Sequence, residues 1–95
     1  MNKTKTMPEV TQYKFEEQQI KASIQRVNLW IKQLKEHKKS NPNEESYRDY
    51  LYNRLIEQYD DLLRCEPYLE RPIFKELYQE KFCKSKLLAE NLLSL

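Results

Sequence analysis

Three side chains in this 95-residue sequence could ligate a metal through nitrogen or sulfur, His37, Cys65 and Cys83, and they stand in separate stretches. A zinc site needs about four such ligands, usually in closely spaced pairs. We therefore expect no metal, and both cysteines read as reduced, partly buried thiols. Nucleophilic catalysis is disfavoured for a related reason. A cysteine nucleophile wants a base beside it, and the one imidazole sits in the lysine-rich stretch Lys35 to Lys39. Glycine is absent altogether, so there is no Gly-rich loop to cradle phosphate and no nucleophile elbow. No catalytic residue and no cofactor is expected.

Carboxylates are the remaining candidates for chemistry. Glu57 and Asp60 lie three apart, Asp61 is one turn from Glu57, and Glu16 and Glu17 stand on an earlier stretch that a hairpin would bring opposite. Acids on facing helices hold Mg²⁺ for nucleotide chemistry in some all-α enzymes. The spacing Glu57-x-x-Asp60, with Glu16-Glu17 upstream, resembles the paired motifs E-x-x-D and E-E-x-x-E of helical nucleotide pyrophosphohydrolases. The resemblance implies a Mg-dependent all-α nucleotide hydrolase. It covers only these few residues, and the last glutamate of the second motif falls at Ile20, which removes a ligand. The alternative is a solvated acidic face on which Arg54 pairs with Glu57 and Asp61.

Binding surfaces are better marked than catalytic ones. Lys14, Lys21, Lys32, Lys35 and Lys39 project into one sector of a helix at 100° per residue. Such a row either tracks phosphates, as in a nucleic-acid-associated regulator, or borders the core and reaches toward acidic groups opposite. Tyr50 projects into a polar helical face beside Arg54, and Trp30 stands at the edge of an apolar arc; an aromatic beside an arginine has the composition of a binding anchor. In the terminal stretch "LLAENLLSL", Leu87 and Leu95 fall at or outside the margin of the apolar face, which leaves either a leucine ridge for a partner or a chain end that frays and covers itself. Phe15, Ala22 and Leu29 repeat every seven residues, flanked by Gln18, Gln25 and Gln33. They form either a narrow homodimer seam or three isolated surface hydrophobes.

All these residues must be positioned by helices. Without glycine, tight hairpin turns would have to be built from Asn or Asp, whereas long helices need none. Leu, Ile, Val and Phe together make 23 of 95 residues, above the fraction at which a charged chain stays disordered. Thr6, Pro8 and Glu9 resemble a capping box, so a first helix is predicted over about 7–39, after a frayed 1–5. Asn41 and Pro42 then cap and open a second helix over 42–65. A tight turn at Pro67 to Glu70 leads to a third over about 72–93. Ile20, Ile24, Val27, Ile31 and Leu34, alternately four and three apart, give the first helix a stripe to pack on the other two.

The predicted fold is thus one all-α domain over 6–95, an antiparallel hairpin plus a third helix, with dimerisation through helix 1 as one reading. Residues 1–43 carry nine basic and four acidic groups and residues 44–70 three and eight, which we expect to face each other. No stretch approaches eighteen apolar residues, so a soluble, cytoplasmic protein with no membrane partner is expected. Together these features predict a small non-enzymatic helical regulator, adaptor, inhibitor or subunit that occupies a partner protein.

Overall fold

The computed structural model describes the backbone of residues 3–40 and 43–94 and the side chains of residues 11–39 and 43–94. Three helices account for nearly all of it: α1 (Lys3–Ser40), α2 (Glu45–Arg64) and α3 (Pro72–Leu93), with a 3-10 turn at Glu66–Glu70. No strand occurs among the described residues. The molecule extends 62 × 22 × 18 Å, a length set by α1, whose 38 residues at 1.5 Å each make a rod of about 57 Å.

Helix ends differ from the sequence expectation at two places. α1 starts at Lys3, ahead of Thr6, so Thr6 lies inside the helix instead of capping it; its side chain and that of Glu9 fall outside the described residues. α2 starts at Glu45 with Glu44 as N-cap and no capping side chain, three residues later than predicted. The Asn41 and Pro42 cap lies outside the described residues. The junction is held instead by His37, buried at the end of α1, whose Nε2 donates to the Glu44 carbonyl at 3.2 Å.

After α2 the prolines act as expected. Pro67 lies in the 3-10 turn, and Arg71 is extended at φ −69°, ψ 126°, the conformation favoured before proline. Pro72 then opens α3, where a missing N–H costs nothing. With no glycine to end α3, Ser94 takes the left-handed conformation at φ 60° and donates its N–H to the Asn91 and Glu90 carbonyls.

Cross-helix contacts fix the topology. Ser23 meets Cys65, Trp30 meets Tyr50 and His37 meets Tyr47, so α2 runs antiparallel to α1. Tyr13 meets Phe74, Glu17 meets Tyr78 and Asn28 meets Ser85, so α3 runs parallel to it. This is a three-helix bundle. Ile20, Ile24, Val27, Ile31 and Leu34 are all buried, against Leu51, Leu55, Tyr59 and Leu62 of α2 and Phe74, Phe82 and Ala89 of α3.

The buried arcs are narrower than the apolar patterns. Tyr47 and Ile56 on α2 and Leu77 on α3 fall on the apolar sides of their helices at 100° per residue, yet they are 47%, 44% and 53% exposed. On α3 the small residues Ser85 and Ala89 face inward instead, and Ser85 Oγ donates to Asn28 Oδ1 at 2.7 Å. The buried arc of α3 therefore runs through Phe74, Phe82, Ser85 and Ala89 and leaves Leu77 at its exposed margin. Phe82 is the largest fully buried side chain. Phe82→Ala should cost about 3–5 kcal/mol, while Ile56→Ala should stay within about 0.5 kcal/mol. Urea denaturation of both variants checks this; equal midpoints would refute the packing.

Candidate functional site

The most distinctive surface lies where α1 and α2 pack side by side. Trp30 on α1 is half-buried, and its ring meets Tyr50 of α2 edge-on with centroids 6.3 Å apart. Tyr50 in turn stacks on Tyr47 at 5.9 Å, one turn back, and Tyr47 meets His37 at 5.0 Å. Arg54 closes the group, its guanidinium 5.6 Å from the Trp30 centroid and 5.7 Å from that of Tyr50, while Nη1 donates to Glu57 at 3.1 Å. Thus Trp30 joins Tyr50 and Arg54, neighbours one turn apart on α2, in one cluster because antiparallel packing sets residue 30 opposite residue 50.

Two atoms of this face are incompletely bonded. Arg54 Nε and, one turn on, Gln58 Oε1 are buried with no hydrogen-bond partner among the described residues. Such groups are rare and need water or a ligand atom to complete them. Further toward the start of α1 the face opens into a polar cavity of about 250 Å³, lined by Gln19, Ser23, Arg26, Asp61, Arg64, Cys65 and Tyr68. There Ser23 Oγ lies 3.3 Å from Cys65 Sγ, and burial raises the Cys65 thiol pKa, partly offset by Ser23. Cys65 is buried and Cys83 exposed, both as free thiols.

The carboxylates do not assemble. Glu16 is buried and accepts both Arg71 Nε at 2.5 Å and Nη2 at 3.0 Å, with Gln12 Nε2 at 2.8 Å. Glu17 accepts the Tyr78 hydroxyl at 2.5 Å. Both therefore face α3, whereas Glu57 is held by Arg54 on α2, and Asp61 pairs with Arg64 at 3.6 Å instead of Arg54. Among the described residues no group of three or more His, Cys, Asp or Glu side chains could hold a metal ion. The resemblance to the pyrophosphohydrolase motifs has no geometric counterpart here.

The two opposed charge segments approach at the cavity that Arg26 and Asp61 both line, without a direct ion pair there among the described residues. The acids of α2 that pair do so locally at i,i+3, through Arg48–Glu45, Arg54–Glu57 and Arg64–Asp61. No ion pair joins α1 to α2 among the described residues. Lys14, Lys21, Lys32, Lys35 and Lys39 are all exposed, and Lys32 and Lys35 border a groove between α1 and α3. The reason is angular: the row lies on the flank of the stripe turned toward α3.

Of the remaining candidates, Phe15 and Leu29 are each 50% exposed and Ala22 is half-buried. Leu87 is 58% exposed, and Leu95 lies outside the described residues. Tyr47 and His37 are not marked in the sequence, because the first lies on the apolar side of its helix and the second in a lysine-rich end. Nor are Lys81 and Lys84, whose relation to the α1 lysines depends on α3 running parallel to α1. No helix among the described residues is long and apolar enough to cross a membrane. The chain matches no known family, curated protein or solved structure.

The surface is held in register by polar ties behind it. Tyr59 donates to Glu90 at 2.6 Å, and this bond with burial pushes the Tyr59 phenol up to about 12. Tyr78 is likewise pushed up to about 12, mainly by burial and then by its bond to Glu17. The Arg71 hydrogen bonds hold the Glu16 carboxyl below its ordinary value of 4.5, against the opposing effect of burial. A depressed folded pKa stabilises above the unfolded value, and that stabilisation is lost as pH falls through the folded one. Urea midpoints should therefore fall as pH drops below about 4.5. Glu16→Gln should start lower at neutral pH and lack this step; an unchanged acid profile would contradict the role of the pair.

Proposed function

We propose that this protein is a small non-enzymatic regulator or adaptor that works by occupying a partner protein through the Trp30–Tyr50–Arg54 surface. The observation that carries the reading is the gathering of a tryptophan, stacked tyrosines and an arginine on one face, with two buried polar atoms that have no partner among the described residues beside them. Trp, Tyr and Arg are the residues that dominate binding energy at protein interfaces. Rigid aromatics also lose little conformational entropy on docking. The free thiols fit a reducing compartment such as the cytoplasm.

A second reading is favoured by one specific observation: all five lysines of the α1 row are exposed, and none lies within ion-pair distance of a carboxylate among the described residues, which leaves the row to meet an external polyanion. One experiment separates the two. Tagged wild type, a Trp30→Ala/Tyr50→Ala variant and a Lys32→Glu/Lys35→Glu variant are used as baits, each first shown to be helical by circular dichroism. We expect a co-purifying protein that the aromatic variant loses by about tenfold or more, the scale of a hot-spot deletion. Loss of bound nucleic acid in the lysine variant alone would favour the polyanion reading instead.

We further propose that Phe15, Ala22 and Leu29 pair two copies along α1. Phe15 and Leu29 are half exposed on one side of a helix whose stripe is already covered, as a heptad seam requires. Light scattering should give a dimer for wild type and a monomer for Leu29→Asp. Monomers in both cases would dispose of the seam.

A further inference from the structure

The α1 lysine row acquires a second rim that no single helix reveals. Lys32 and Lys35 of α1 stand across a groove from Lys81 and Lys84 of α3, and the space between measures about 490 Å³. Its base is apolar: Ile24 and Ile31 are buried and Leu88 is half-buried, with the Asn28–Ser85 hydrogen bond between them. Among the described residues Glu36 is the one acid lining it. None of the four lysines lies within ion-pair distance of a carboxylate among the described residues.

From the structure we propose that this groove docks an acidic amphipathic helix of a partner protein as a fourth helix of the bundle. Charge complementarity selects the occupant: lysines on both rims call for carboxylates on both flanks of what enters. The apolar base calls for a hydrophobic stripe between those flanks, which a phosphate backbone does not offer. The dimensions agree. Ile24 to Glu36 spans roughly 18 Å along α1, the length of about twelve helical residues, and three packed helices leave a groove that a helix can enter at ordinary interaxial distances. On α3, the exposed Leu77 lies one turn before Lys81, so the apolar track continues past the cavity. The groove lies on the α3 side of α1 and uses none of Trp30, Tyr50 or Arg54, so it is a second surface.

The probe is a synthetic peptide of about fourteen residues with leucines at helical i, i+3, i+4 and i+7 positions and glutamates on both flanks. Binding to the full chain is read by fluorescence anisotropy at two salt concentrations. The amphipathic peptide should bind in preference to a scrambled peptide of the same composition, and more weakly at higher salt. Lys32→Glu/Lys84→Glu should weaken it about tenfold or more, a peptide with lysine flanks should bind that variant better than wild type, and Lys75→Glu, exposed on another side of α3, should leave binding unchanged. Equal affinity for the scrambled peptide, or indifference to the lysine changes, overturns the proposal. So does a duplex DNA that binds wild type more tightly than the peptide and is lost in the lysine variant. A dimer that the lysine changes dissociate would assign the groove to a second copy and overturn it too.

Discussion

The structure rests on one constraint: the α1 stripe from Ile20 to Leu34 is too hydrophobic to leave wet, and a single neighbouring helix cannot cover it. Its five residues are nearly inaccessible and run about 21 Å along the helix. Burying a side chain of this size is worth roughly 1.5–3 kcal/mol, so each helix that covers part of the stripe contributes more than its own helical propensity can. α2 closes one flank and α3 the other, and because only the short Glu66–Glu70 turn separates them, α3 returns antiparallel to α2 and so parallel to α1.

Hydrophobic burial does not by itself choose a register, and polar ties supply it. Arg71, at the entry to α3, forks onto buried Glu16 and lies 4.3 Å from the Tyr13 ring. A bidentate arginine tolerates little sliding, so it sets where α3 begins along α1. Tyr78 on Glu17 and Ser85 on Asn28 repeat the alignment farther up. At the other end His37 on the Glu44 carbonyl pins the start of α2. With the register set, Trp30 falls against Tyr50, and the lysines of α1 and α3 line the same groove. Neither surface exists on any one helix.

The sequence made the helices legible because their cause is local. Heptad-like spacing, prolines at 67 and 72 and the absence of glycine each act over a few residues, and α3 was read to its observed ends. The start of α2 was misread because a capping side chain was sought where a backbone carbonyl and a histidine from another helix do the holding. On α3, apolar patterning alone weighs Leu77 over Ser85 and Ala89, yet the two small residues are the buried ones. Of the candidate sites, Trp30, Tyr50 and Arg54 were legible as types and found together in space. Tyr47, His37, Lys81 and Lys84 were not, since their significance lies in neighbours supplied by other helices.

If α1 folds only as both partners cover it, the three helices cannot open separately. Native-state hydrogen exchange measured against urea tests this most directly. The account predicts that the slowest amides of residues 20–34, 51–62 and 74–89 exchange through one opening with a common urea dependence. Contradiction would come from α3 amides exchanging through a separate opening with a smaller urea dependence while α1 and α2 stay protected.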